Sequence, residues 1–155
     1  TQLGLITSEP TAARGLVRRI ELDRKAVARR LHGTRRVSAF VDLGYFTTAS
    51  DHTLIGDLLR EAHGRNIAGD VTDGGPFDLA ELRDLDPDVY IVTSDSGTTL
   101  ESLRANPKTR RLRAVREGRV VVVDSRLLEP GPSVGDGLRA LAEALHPQAM
   151  GQAAG

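Results

Sequence analysis

A chain of 155 residues with 39% hydrophobic and 27% charged side chains is long enough for one domain with its own core. It has no cysteine, which excludes disulfides and thiolate metal sites, and no apolar run approaches the roughly 20 residues a membrane helix needs. The net charge of zero is uneven: residues 1–36 carry nine Lys/Arg against three Asp/Glu (net +6), and residues 37–155 carry twelve against eighteen (net −6).

The basic leading segment reads as a helix over residues 9–32, with Ser8 as N-cap, Pro10 in the first turn and Gly33 at the C-cap position. Leu16, Ile20, Val27 and Leu31 share one face, with Ala13 beside them, while the rest is Arg-rich. So narrow a stripe predicts a helix lying across a surface. Its charge could serve nucleic acid or an anionic surface, but a solvated charged face is the preferred reading.

Val37–Asp42 reads as a strand and Leu43–Ser50 as a polar loop. Residues 51–63 read as a helix capped by Ser50 or Asp51, with Leu54, Ile55, Leu58, Leu59 and Ala62 on its apolar face. Asn66–Ala68 suggests a short strand, Thr72–Pro76 a turn-rich loop, and Asp78 the cap of a helix over Leu79–Leu85.

The stretch from Asp86 to Asp124 carries most of the fold signal. It contains two runs rich in β-branched residues, Asp86–Ser94 and Ala114–Asp124, read as strands buried on both faces, the second centred on Arg119–Asp124. A helix over Thr98–Ala105 lies between them and is broken by Asn106-Pro107. Strand, crossover and strand imply a parallel pair. A loop over Ser125–Pro130, a helix over 133–145 and a frayed tail from Gln148 complete the chain. The fold class is therefore α/β, a three-layer Rossmann-like lobe with a mostly parallel sheet, preceded by a long helix.

Catalytic motifs are missing. No Walker loop is present, and Gly131, Gly135 and Gly137 read as helix-start glycines rather than a dinucleotide fingerprint. His32, His52, His63 and His146 show no metal-ligand spacing, and three of them sit near helix C-termini, where the helix dipole favours a cation. No Gly-x-Ser-x-Gly elbow occurs, and Ser94 and Ser96 read as cap residues. No enzyme, metal or cofactor is expected. The alternative is a stand-alone α/β enzyme or nucleotide-binding regulatory domain.

Ligands of parallel sheets sit at the carboxyl ends of the strands. Tyr45 and Phe46 follow the first strand, Phe77 lies in the turn-rich loop, and Arg126 follows the last strand. If these loops share an edge they form an aromatic and cationic patch. The competing reading is that Phe77 staples the following helix and Tyr45 packs locally.

Four segments together resemble one known family. They are Ile55-Gly56-Asp57-Leu58-Leu59 followed by Gly64-Arg65-Asn66-Ile67-Ala68; Asp78–Leu82 leading to Asp86–Val92; Leu112–Asp124; and Pro130-Gly131-Pro132 opening a helix that ends at Leu145-His146-Pro147. In order and spacing they are similar to the C-terminal part of substrate-binding proteins of the cobalamin and iron-siderophore ABC importers. Arg65 stands where the family's Gly-Gly-x-Asn signature has its second glycine.

The resemblance implies two α/β lobes joined by one helix, with a metal chelate (ferric siderophore, haem or cobalamin) held between them. Residues 1–33 then correspond to the end of a missing N-terminal lobe and the connecting helix, 34–147 to the C-terminal lobe, and 148–155 to a flexible tail. Leu3–Thr7 matches the end of the preceding segment. The resemblance also implies an extracytoplasmic location, in the periplasm or as a cell-surface lipoprotein, and no nucleic-acid partner. It assigns ligand contact to Tyr45, Phe46, the Thr72–Phe77 loop, Ser94, Asp95, Ser96 and Arg126–Glu129. It assigns contact with the ABC permease to Asp51 and His52, His52 standing nearest the family's acidic residue.

Overall fold

The computed structural model describes residues 2–70 and 76–151, with side chains from residue 11 onward. Helix α1 spans Gln2–Leu31 and leads into strand β1, Val37–Asp42. There follow α2 (Leu54–Glu61), β2 (Gly64–Asn66), α3 (Leu79–Leu85), β3 (Val89–Thr93), α4 (Leu100–Ala105), α5 (Arg113–Arg116), β4 (Val120–Val123) and α6 (Val134–Leu145). A 3₁₀ turn, Ser125–Leu128, separates β4 from α6.

The four strands form one sheet in the order β2-β1-β3-β4, and every neighbouring pair is parallel. The expected α/β class is therefore observed. Alternation along β1 and β3 feeds two cores. Ala39, Val41, Val89 and Ile91 face Val27 and Leu31 of α1, Leu58 and Leu59 of α2, and Leu138 and Leu141 of α6. Phe40, Tyr90 and Val92 face Leu82 of α3, Leu103 of α4 and Val115 of α5. The chain moves one way from β1 to β2 and the other way from β2 through β3 to β4. That reversal places α2 on one face and α3, α4 and α5 on the other, because such crossovers keep one hand.

Several expectations need correction. Helix α1 begins at Gln2 rather than Glu9, so Pro10 lies inside it, where a proline removes one backbone hydrogen bond and crowds the preceding turn. The expected cap by the Ser8 side chain lies outside the described side chains. Leu3–Thr7, read as the end of a preceding segment, is part of α1. Val27 and Leu31 are fully buried, so the last turns of α1 are core and only the earlier turns lie across a surface.

Helix α2 starts at Leu54 because Thr53 caps it, accepting the Gly56 N–H at 3.1 Å. Ser50 and Asp51 instead form the turn before it, with the Thr53 hydroxyl donating to the Ser50 carbonyl at 2.7 Å. Strand β2 precedes the expected Asn66–Ala68. Asn66 ends it by folding back, its Oδ1 accepting from the Ala68 N–H at 3.0 Å and its Nδ2 donating to the Ala49 carbonyl at 2.7 Å.

The Ala114–Asp124 run is not one strand. Arg113–Arg116 is helical, Gly118 turns the chain at φ 72°, and only Val120–Val123 joins the sheet. That strand is an edge: Val122 is 65% exposed, so a run of four valines does not mean burial on two faces here. Strand β3, by contrast, is buried along its whole length. The expected helix over Thr98–Ala105 is shortened to α4 by the Thr99 cap, whose hydroxyl accepts the Ser102 N–H at 3.0 Å.

Gly135 and Gly137 lie in the first turn of α6, and they are packing residues. A Cβ on Gly135 would sit 2.2 Å from an Asp23 carboxylate oxygen, and one on Gly137 would sit 2.0 Å from the Leu127 carbonyl. The expected Gln148–Gly155 tail is described only to Gly151, and Met150 within it is buried in the first core.

The cationic reading of the histidines is corrected at His63. Burial is the main cause lowering its pKa from the ordinary 6.5, and the nearby Arg36, His146 and His32 act in the same direction. Its Nδ1 stands 3.0 Å from the Thr34 hydroxyl, which itself donates to the Leu31 carbonyl, and His146 Nε2 donates to the His63 carbonyl at 3.1 Å. A neutral His63 thus sits where the ends of α1, α2 and α6 meet.

Gly137→Ala is expected to lower stability by about 1–3 kcal/mol in urea unfolding, because the Leu127 backbone has to shift. Gly15→Ala, where nothing lies within 4 Å of the added Cβ, is expected to stabilise the exposed helix slightly. For His63, the unfolded chain takes up a proton near pH 6.5, before the native state does. Its contribution is full above that value and is lost as pH falls towards the lowered native pKa. His63→Asn, which tolerates the φ of 56°, is expected to flatten the fall in Tm between pH 7 and 5.

Candidate functional site

The site is built at the carboxyl ends of β1 and β3, where the loops leave in opposite directions. Asp42, the last residue of β1, is fully buried. Its Oδ1 accepts from the backbone N–H of Gly44 at 2.8 Å and of Phe46 at 3.2 Å. Its Oδ2 accepts from the Tyr90 hydroxyl at 2.7 Å and the Thr98 hydroxyl at 3.3 Å. One carboxylate therefore holds the loop after β1, the body of β3 and the loop after β3. Burial, with the charge and hydrogen bond of Asp42, pushes the Tyr90 phenol far above its ordinary pKa, so it remains a donor.

The loop after β1 is bent into the left-handed region at three successive residues, with φ of 123° at Gly44, 52° at Tyr45 and 62° at Phe46. Such backbone costs an aromatic residue free energy and persists only where neighbours hold it. Further bonds do so: the Thr47 N–H donates to the Gly44 carbonyl at 3.0 Å, the Leu43 N–H to the Thr47 carbonyl at 2.8 Å, and the Phe77 N–H to the Phe46 carbonyl at 2.9 Å. As a result Tyr45 is 89% exposed at the sheet edge, while Phe46 is half-buried against the second core. Gly44 closes on the neighbouring loop, since a Cβ there would stand 3.4 Å from the Ser96 carbonyl oxygen.

The loop after β3 presents Ser94 and Asp95 to solvent and leaves Ser96 half-buried, its hydroxyl accepting the Thr98 N–H at 3.1 Å. Ser94 links this loop to the one after β4. Its Oγ accepts the Ser125 N–H at 3.0 Å and lies 3.3 Å from the Ser125 Oγ. Arg126 folds back on Asp124, with Nη2 donating at 2.8 Å and Nε at 3.2 Å. Those hydrogen bonds hold the Asp124 carboxyl below its usual range and raise the Arg126 pKa. Thr48 and Thr93, in or beside the same loops, have buried hydroxyls without a hydrogen-bond partner among the described residues.

The structure thus brings Tyr45, Phe46, Ser94, Asp95, Ser96 and Arg126 to one edge. Phe77 is placed differently. It is buried, its ring 5.4 Å from Phe40, and it braces the edge from behind. Residues 71–75 of the loop before it lie outside the described residues. Asp51 and His52 lie on the turn into α2, also after β1. The Asp51 N–H donates to the Gly69 carbonyl at 3.1 Å and its carboxylate packs so close that a Cβ on Gly69 would sit 2.2 Å away, whereas His52 is exposed.

Sequence reasoning missed Asp42, Tyr90 and Thr98. A signal was available: a tyrosine inside an aliphatic strand needs a partner for its hydroxyl, and Asp42 ends the neighbouring strand. Among the described residues, no histidine bonds Ser94 or Ser96, and no group of three His, Asp or Glu could hold a metal ion. The edge is an open wall that can contact a ligand through a ring, hydroxyls and charges, with no activated nucleophile.

The model of the periplasmic binding protein family matches residues 1–127. The chain belongs to the periplasmic binding protein family. Its fold is similar to that of Helicobacter pylori CeuE solved as a nickel–histidine complex, at 18% identity and TM-score 0.78, covering 88% of this chain and 46% of that one. A possible iron-binding, periplasmic solute-binding protein of Staphylococcus epidermidis matches at 20% identity and TM-score 0.79 over 94% of this chain and 59% of that one. The molybdate-bound MolA of Haemophilus influenzae matches at 21% and 0.76, over 88% and 44%. The chain therefore spans about half the length of the solved structures it matches. No curated protein sequence matches it. Membership places the chain among binding proteins rather than enzymes, and implies an extracytoplasmic location.

The clamp on the β1 loop predicts a graded response. Tyr90→Phe is expected to cost about 1.5–3 kcal/mol, the worth of a hydrogen bond to a charged group. Asp42→Ala is expected to cost more, because it strands the Tyr90 hydroxyl and the loop N–H groups. Amide exchange should quicken at Gly44 and Phe46 in both variants; unchanged exchange would mean the loop is held by something other than Asp42.

Proposed function

We propose that this chain is the C-terminal lobe and connecting helix of a solute-binding protein that delivers a metal chelate to an ABC importer. The observation that carries the reading is the open edge at the ends of β1, β3 and β4, where a strained loop holds Tyr45 outward. A single wall of this kind suits a ligand gripped between two lobes. Helix α1 would join the lobes and residues 34–147 would form the second one. The cargo class is supported by the nickel, iron and molybdate in the descriptions of the similar structures. Within that class we favour a ferric siderophore, haem or a cobalamin, because a large ligand can use a ring and hydroxyls spread over three loops.

In this reading Tyr45 and Phe46 supply the apolar contact, Ser94 and Asp95 the polar contact, and Arg126 a cation steadied by Asp124. Phe77 supports the wall. Asp51 and His52, on the turn into α2, would meet the permease. No bond is made or broken. Attachment as a lipoprotein belongs to the same proposal.

The test is fluorescence titration of this chain, and of a two-lobed protein containing it, with a ferric catecholate, a ferric hydroxamate, haemin and cyanocobalamin. One ligand is expected to bind the two-lobed protein at least 100-fold more tightly than the single lobe, and Tyr45→Asn, chosen to keep the left-handed backbone, should weaken that binding about tenfold or more. Micromolar or tighter binding by the single lobe would overturn the two-lobe account.

A further inference from the structure

Helix α1 carries a feature that ligand capture does not use. Arg14, Arg18, Lys25 and Arg29 follow one another at spacings of four, seven and four residues, so they line a single face. That face is turned away from Leu16, Ile20, Val27 and Leu31, and all four cations are exposed. Over 15 residues the row is about 22 Å long at ~1.5 Å per residue. None of the four has an ion-pair partner among the described residues. By contrast Arg24 pairs with Glu61, Arg60 with Asp57, and Arg139 with Asp23 and Asp136. Between Arg14 and Arg29 the acidic residues are Glu21 and Asp23, and Asp23 is paired with Arg139.

Two further observations lie beside it. Val17 and Leu22 flank the row and are 54% and 60% exposed, large apolar side chains that a purely solvated face does not need. Next to Lys25, a cavity of about 350 Å³ is lined by Arg24, Lys25, Ala28, Arg36, Arg60, Glu61 and His63, where four fixed cations meet one carboxylate. Its volume admits a phosphate group. The remainder of the chain, residues 37–155, carries six more acidic than basic side chains, so an anionic surface would attract α1 and repel the rest.

We propose that the outer face of α1 docks the protein on an anionic lipid bilayer, with Arg14, Arg18, Lys25 and Arg29 on the phosphate headgroups and Leu22 beside them reaching the layer beneath. The exposed Leu22 beside the row decides for a bilayer over a linear polyanion, which offers charge without an apolar layer. Each cation near an anionic surface is worth about fivefold in partitioning, so four of them suffice for reversible docking. This surface is separate from the loop edge of the sheet and does not depend on which solute binds there.

The experiment is co-sedimentation of the full chain with vesicles of equal parts phosphatidylglycerol and phosphatidylcholine, and of phosphatidylcholine alone, in 50 and 300 mM salt. Binding is expected only to the anionic vesicles, and it should weaken at least tenfold at the higher salt. The variant R14Q/R18Q/K25Q/R29Q should weaken it at least tenfold while leaving the circular dichroism spectrum unchanged, and Leu22→Ser should weaken it about threefold or more. Equal binding to phosphatidylcholine, no binding to the anionic vesicles, or an unaffected quadruple variant would overturn the proposal. So would tight binding of soluble polyphosphate together with indifference to Leu22→Ser, which would make the partner a polyanion.

Discussion

The Asp42 carboxylate is the constraint on which the candidate site depends. A buried carboxylate is costly unless its lone pairs are filled, and here two backbone N–H groups and two hydroxyls fill them. The four donors come from three segments, the loop after β1, strand β3 and the loop after β3, so the bonds that make the charge tolerable also fix the relative positions of those segments. The left-handed backbone at Tyr45 and Phe46 has no reason to persist alone. It persists because Gly44 and Phe46 must both reach the same oxygen, and Tyr45 is then turned outward between them.

The sheet order explains why Asp42 stands where it does. In the order β2-β1-β3-β4, the two central strands are neighbours whose loops diverge, and β1 and β3 pair with Asp42 opposite Val92. That register puts the Asp42 and Tyr90 side chains on the same face, two residues apart along the strand direction. The crevice thus opens above two strands that are buried and rigid. Ser94 extends the arrangement to the edge strand β4 through Ser125, so the three loops form one continuous wall.

Much of this was legible in the chain. Val37–Asp42 and Leu79–Leu85 have the expected bounds because a β-branched run and an Asp cap are local signals. The loops carrying Tyr45, Ser94 and Arg126 fall on one edge because strand ends of a parallel sheet do so by construction. What stayed illegible depends on partners distant in sequence. The exposure of Val122 follows from β4 having no neighbour on one side, which four valines cannot announce. The burial of Phe77 follows from Phe40, and the lowered pKa of His63 from helix ends that meet only in the fold. The need for glycine at 137 follows from the Leu127 carbonyl, ten residues away in the chain.

Two parts of the molecule expose groups that this α/β layer does not itself require. Helix α1 is anchored by Val27 and Leu31, yet its turns from Thr11 to Leu22 are exposed except for partial cover at Leu16 and Ile20. Helical turns with so little packing are marginal by themselves and draw their stability from whatever contacts them. The strand-end wall shows the same economy: a strained tyrosine, three serines and a paired arginine are held in place at a cost in backbone strain and buried charge. The strand-end edge and the exposed face of α1 lie on different elements, and the charge that accumulates on α1 is opposite in sign to that of the remaining chain. The two surfaces share no residues.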